Sequence, residues 1–332
     1  MPPLNYSSSS SKTVPCYWAI GEGKAMNTRY EALLSKINSG QVAILDSGIS
    51  TELERRGATM DDQVWSARVS IESFDVLVET HQAYIDAGAD VITVNSYASS
   101  RLVLETAGLA DEVRTINMKN IEAALLARER CGNQDVLVAG SVSHNLGFLT
   151  ASNQYNKRQV TRETLFEAFN EMFSFYEEGE VDLVLLEMMS APSRMLTLFE
   201  CASFSRLPVW CGLSAKRSDR NATITGYHDE TILFIDNIQE AVNFGFEGMG
   251  IMHSSVDLIG DAIELIKANY DGLIMAYPDS GYFKSPNWQF EDVITPDHLT
   301  EFADQWKQAG ANIIGGCCGL GPEHTAALCN LK

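Results

Sequence analysis

EFADQWKQAGANIIGGCCG, residues 301–319, is the stretch from which the rest of the chain can be read. Its first half has helical periodicity, Gly310 is a stop signal, Ala311–Gly316 is a short apolar run, and two adjacent thiols follow at once. That is a helix, a buried strand and a strand end carrying chemistry. The same kind of helix stop stands just before a strand at Ala87-Gly88-Ala89, Glu178-Gly179-Glu180 and Phe244-Gly245-Phe246. A recurring helix–glycine–strand unit predicts parallel strands joined by crossover helices.

Strands are expected at Val42–Ser47, Asp90–Ser96, Asp135–Val142, Asp182–Met188, Pro208–Ala215, Gly248–His253, Gly272–Pro278 and Ala311–Gly316. Between them, helices are expected at Phe74–Ala87, Asp111–Cys131, Arg162–Glu178, Glu230–Phe244, Val256–Asn269 and Thr295–Ala309. Eight βα units predict an α/β chain folded as one (β/α)8 TIM barrel over residues 27–332. A doubly wound open sheet is the competing architecture, but no Gly-x-Gly-x-x-Gly follows the first strand. Residues 1–26, with the serine run Ser7–Ser11, read as a disordered extension. An organelle transit peptide is the alternative, opposed by the near absence of arginine.

Bulk properties narrow the function. No apolar run approaches the roughly 18 residues of a membrane span. The formal net charge of −20, from 44 acidic and 24 basic residues, opposes binding to nucleic-acid phosphates or anionic membranes. The 7 cysteines are odd in number and scattered, unlike a secreted disulfide framework, so a reducing, cytoplasmic setting is expected. Nothing in the residues predicts the oligomeric state.

A barrel's chemistry collects at the C-terminal ends of its strands. Those ends carry Asp46 and Ser47, Asn95 and Ser96, Ser141 and Ser143, Glu187, Ser214 and Lys216, His253, Asp279 and Ser280, and Cys317 and Cys318. Strand ends are polar in any barrel because loops are solvated, so the convergence of all eight counts for more than any one. Beyond the last strand its alternation no longer forces Cys317 and Cys318 apart, and both thiols are free to face a metal, zinc being the natural candidate. Lys216, Trp288 and the Asn287–Gln289 loop either shape the pocket or pack, packing being the reading favoured for Trp288, and His144 reads as an exposed loop residue.

Gly315-Gly316-Cys317-Cys318 with Pro322-Glu323-His324 resembles the Gly-Gly-Cys-Cys…Thr-Pro-Glu-His signature of the homocysteine S-methyltransferase family. The resemblance runs along nearly the whole chain. Asp46-Ser47-Gly48 through Thr51-Glu52-Leu53 is similar to the family's opening Asp-Gly-Gly…Thr-Glu-Leu, and Thr93 to Tyr97 to its Thr-Asn-Thr-Tyr. Ala139-Gly140-Ser141 is similar to its Ala-Gly-Ser, Glu187 falls on its Phe-Glu-Thr glutamate, and Ser214-Ala215-Lys216 is similar to its Ser-x-Lys. Tyr277-Pro278-Asp279-Ser280-Gly281 resembles its Tyr-Pro-Asn-Ser-Gly.

The resemblance implies a barrel that holds zinc on three cysteines, with a substrate thiolate as fourth ligand. It also implies methyl transfer from a sulfonium or ammonium donor, such as S-methylmethionine, to homocysteine or a related thiol or selenol. On that analogy Asp46, Asn95, Glu187 and Ser280 bind substrate. Where the family reads Asn-Cys after strand six, this chain has Met252-His253, so the implied metal ligands become His253, Cys317 and Cys318. One imidazole in place of a thiolate leaves a less negative centre and, on the sequence alone, a weaker thiolate nucleophile. Ser143-His144-Asn145 departs from the family's usual Gly-Pro. The alternatives are demethylation of another onium compound with a different acceptor, or a barrel that binds without catalysing.

Overall fold

A computed structural model describes residues 27–147, 160–220 and 222–332. The serine run and the rest of residues 1–26 lie outside the described residues.

Eight parallel strands form the sheet: β1 (Ala43–Ile44), β2 (Val91–Thr93), β3 (Leu137–Ser143), β4 (Leu183–Met189), β5 (Val209–Leu213), β6 (Gly248–Ser255), β7 (Leu273–Asp279) and β8 (Ile313–Ile314). They are ordered β1-β8-β7-β6-β5-β4-β3-β2. The first strand pairs with the last, Ala43 opposite Ile313 and Ile44 opposite Ile314. A parallel bridge from Leu45 to Val91 joins β1 to β2 and closes the ring into the expected (β/α)8 barrel.

Alternation along each strand divides the apolar residues into two cores. Leu45, Val91, Leu137, Leu185, Trp210, Met275, Tyr277 and Ile313 point inward and pack with one another. Ile44, Ile92, Val138, Leu186, Leu213, Ile251, Ile274 and Ile314 point outward against the helices. The N-terminal helix Thr28–Asn38 joins the inner core through Tyr30, Leu33 and Ile37. Tyr30 accepts a hydrogen bond from Trp210 Nε1 at 3.0 Å, so this helix plugs the barrel at the end away from the strand termini that carry chemistry.

Most expected helices are present: Phe74–Asp86, Val113–Arg130, Arg162–Glu178, Val256–Lys267 and Pro296–Ala309. The segment expected at Glu230–Phe244 becomes helical only at Phe234, because Leu233 is extended at φ −74°, ψ 143°. Pro192–Ser203, opened by a proline in its first turn, is a helix that the sequence reading missed. Gly88, Gly245 and Gly310 take positive φ as helix stops do, but Gly179 has φ −79° and Glu180 carries the left-handed turn at φ 53°. Gly179 is there for space: a Cβ would meet Ile121 Cγ2 at 2.8 Å.

Candidate metal centre

Strict alternation sends Met252 into the barrel and His253 out of it. The pairing register of β6 with β7 instead shifts between Met252 and Ser255, and His253 takes φ 41°, a conformation rare outside glycine. The bulge turns His253 toward the strand-end cavity beside Met252. β4 repeats the device. Its register with β5 shifts between Leu186 and Met189, Met188 has φ 58°, and Glu187 and Met188 both line the cavity. The two bulges are joined, since Met188 N–H donates to Met252 Sδ at 3.0 Å.

The Cys317-Cys318 turn is held just beyond β8. Gly319 has φ 82°, and any Cβ there would lie 1.8 Å from Ser280 O. Its N–H donates to Thr51 Oγ1 at 3.1 Å, and its carbonyl accepts from Arg55 Nη2 at 2.6 Å. Thus helix Ile49–Arg55 pins the turn that presents both thiols. His324, part of the same sequence signature, is structural: its Nδ1 accepts Gly321 N–H at 3.1 Å and its Nε2 lies 2.8 Å from Ile294 O.

The donor atoms of His253, Cys317 and Cys318 all lie within 4.8 Å of one another. Cys317 Sγ is 3.6 Å from His253 Nδ1 and 3.9 Å from Cys318 Sγ. Asp279 Oδ2 stands 3.5 Å from the same Nδ1. Burial opposes charge on His253, but Asp279 and Cys317 outweigh it and raise its pKa to about 9. The neighbouring Cys318 thiol and burial hold the Cys317 thiol well above the usual range.

These side chains open on a cavity of about 240 Å³. Two carboxylates reach it. Asp46 accepts from Thr93 N at 2.6 Å and Thr93 Oγ1 at 2.9 Å, and burial raises its pKa to about 8. Glu187 accepts from the Ser141 hydroxyl, and burial raises it to about 7. Asn95 lines the cavity with its amide fixed by Ser66, whose hydroxyl donates to Oδ1 at 2.9 Å and whose carbonyl accepts from Nδ2 at 3.1 Å. Ser280 does not line it. After inward Tyr277 and Asp279, Ser280 turns the other way, and its Oγ accepts Ile294 N–H at 2.9 Å.

Sequence reasoning missed the rings around this cavity: Trp65, Tyr97, Tyr227 and Phe283 line it together with Trp288. Trp65 sits edge-on to Tyr97 at 6.3 Å and to Phe283 at 5.7 Å, and His253 lies 5.2 Å from Tyr227 and 6.0 Å from Trp288. Trp288 also packs as expected, donating from Nε1 to Ser280 O at 3.0 Å. The 287–289 segment is one arm of a hairpin paired with Tyr282–Lys284. Lys216 stays outside the lining, paired with Glu230 at 3.0 Å. His144, expected on the surface, is buried, with Nε2 accepting Ser190 N–H at 3.3 Å.

The family model described as homocysteine S-methyltransferase matches residues 43–331. Homocysteine S-methyltransferase of Escherichia coli (strain K12) is 27% identical over 323 residues, covering 92% of this chain and 98% of that protein. Selenocysteine Se-methyltransferase of Brassica oleracea var. italica is 26% identical over 313 residues, covering 87% and 88%. The crystal structure of the Escherichia coli homocysteine methyltransferase in an oxidized form superposes with a TM-score of 0.75 at 25% identity, covering 92% of this chain and 100% of that one.

Proposed function

The chain belongs to the homocysteine S-methyltransferase family, a family of methyltransferases, and from that premise we propose that it carries a methyl group from a sulfonium or ammonium donor, such as S-methylmethionine, to homocysteine or a related thiol or selenol, with zinc held by His253, Cys317 and Cys318. The donor set suits that metal in chemistry, and two of its three edges suit it in spacing, the third, from His253 to Cys318, lying within 4.8 Å. Tetrahedral zinc, at roughly 2.3 Å from sulfur and about 2.05 Å from imidazole nitrogen, needs S···S edges of about 3.8 Å and N···S edges of about 3.6 Å. The thiols lie 3.9 Å apart and Nδ1 lies 3.6 Å from Cys317 Sγ. That agreement is the observation that carries the reading.

When bound, zinc supplies a Lewis acid that keeps the acceptor thiol ionised at neutral pH. The rest falls to the chain. Asp46 and Glu187 are poorly solvated carboxylates facing one cavity, and an ammonium between them offsets the cost of their charge. They therefore hold the acceptor's amino group, with Thr93 and Ser141 fixing their oxygens. Trp65, Tyr97 and Phe283, aromatic residues that line the cavity, suit an onium methyl donor by cation–π attraction. The acceptor sulfur forms the new bond to the methyl carbon, while the old bond's electron pair leaves on the donor heteroatom, neutralising its positive charge.

The test is metal content and methyl transfer together. Wild type purified under reducing conditions is expected to hold about one zinc per chain. His253→Ala and Cys317→Ala should lose it, and wild type should transfer labelled methyl from S-methylmethionine to homocysteine. No zinc in wild type, even after reconstitution, would sink this assignment.

Among the described residues no helix is long and apolar enough to cross a membrane. A cytoplasmic site of action belongs to the same proposal.

A further inference from the structure

Asp279 is the one strand-end acid so far given no task. It ends β7, beside the bulge of β6, with its side chain 15% exposed and His253's 12% exposed. Its Oδ2 lies 3.5 Å from His253 Nδ1, on the imidazole edge that also faces Cys317 at 3.6 Å. Asp279 is not among the three groups whose donor atoms lie within 4.8 Å of one another. It therefore stands against a ligand rather than among the ligands.

This residue is also a departure from the motif it sits in. The family pattern reads Tyr-Pro-Asn-Ser-Gly, and here the third position is Asp279. A further departure at the centre, next to Met252, is His253 in place of a cysteine. One exchange removes a negative charge and the other adds one, and the fold sets the two side chains in contact. A carboxylate set against a metal-binding imidazole raises the ring's basicity through its charge, and Asp279 does so from the same Nδ1 edge that faces Cys317 rather than by taking the N–H of the opposite nitrogen. Whichever ring nitrogen takes the metal, the Asp279 charge lies against the imidazole.

Resting on the zinc reading above, we infer that Asp279 is the positioning residue of His253, and that the two form a charge-conserving pair standing in for a neutral side chain and a third thiolate. The less negative centre expected from His253 alone is thereby corrected. The imidazole binds the metal, and the charge that a thiolate would have carried sits next to it on Asp279.

The pair is tested by a double-mutant cycle read as zinc affinity in chelator competition, with the absorption of the cobalt(II)-substituted protein as a second readout. Asp279→Asn keeps shape and removes charge, and it is expected to weaken zinc binding 10–100-fold. His253→Cys alone sets a third thiolate beside the Asp279 carboxylate, and repulsion should hold its affinity several-fold below that of the double variant. His253→Cys with Asp279→Asn should return affinity to within about threefold of wild type, with cobalt bands intensified by a third sulfur ligand. Equal affinity for wild type and Asp279→Asn, or strictly additive effects in the double variant, would overturn the pairing while leaving the zinc site standing. A wild type that binds no zinc would overturn both.

Discussion

His81 is fully buried in helix Phe74–Asp86, and neither ring nitrogen has a hydrogen-bond partner among the described residues. Burial alone lowers its pKa to about 3. A histidine lowered in the folded state keeps the protein at full strength above its unfolded pKa of roughly 6.5 and loses it as pH falls, since the unfolded chain then takes the proton that the fold refuses. Between pH 6 and 4 this residue should cost up to about 1.4 kcal/mol of stability per pH unit. His81→Met, of similar volume and with no polar nitrogen to bury, should flatten that slope in urea melts recorded across this range and leave neutral-pH stability equal or higher. A slope unchanged in the variant would show that other groups govern the acid limb. Single residues were unevenly legible from sequence. Asp46, Glu187, His253, Cys317 and Cys318, which the structure brings to one cavity, stand out in the sequence because each follows or ends an apolar strand. Ser280, by contrast, lies outside the cavity lining for a matter of parity: it is one residue past Asp279, and its hydroxyl turns to Ile294 N–H. Trp65, Tyr97 and Phe283 converge only because three separate loops fold over the barrel mouth, and no local pattern announces that.

At the scale of elements, the hairpin Tyr282–Lys284/Asn287–Gln289 closes one side of the cavity with Phe283 and Trp288. Its attachment is concentrated on helix Ile49–Arg55. Glu54 accepts from Asn287 Nδ2 at 2.7 Å and from Trp288 N at 2.9 Å, and the Arg55 guanidinium lies 4.5 Å over the Phe290 ring. Glu54→Ala removes two hydrogen bonds made by a charged acceptor, a loss of about 3–5 kcal/mol of local holding. We expect the Trp288 amide to lose hydrogen-exchange protection in this variant, KM for the donor to rise, and zinc affinity to stay within threefold of wild type. Unaltered exchange at Trp288 would mean that the hairpin is held by its ring contacts instead. Strands were the most legible elements, because each buries a nearly uninterrupted apolar run. The bulges in β4 and β6 were not legible, since Met188 and His253 carry no glycine or proline to mark a left-handed turn; tertiary packing imposes it, joined by the Met188–Met252 hydrogen bond.

For the molecule as a whole, chemistry and stability sit at opposite ends. The candidate metal ligands His253, Cys317 and Cys318 crown the C-terminal ends of the strands, while Tyr30, Leu33 and Ile37 seal the other end. Leu33→Ala empties part of the plug and should cost about 2–5 kcal/mol in urea melts, with zinc content and donor KM unchanged. A parallel loss of zinc would show that the two ends are coupled through the inner core. The barrel was readable from eight repeats of one unit, whereas the plug was not, because a short amphipathic helix gives no sign of which of two apolar layers it will join.

The pairing of Ala43 with Ile313 also sets a timetable. Chains emerge from the ribosome at about 5–20 residues per second, so β1 waits roughly 15–50 s before the strand that completes it has been made. Throughout that interval the growing sheet presents an unmatched apolar edge, and both thiols of the Cys317-Cys318 turn are still unmade. Ring closure therefore waits for residues 313–318, and a chaperone shielding β1 would matter most during the interval before they are made.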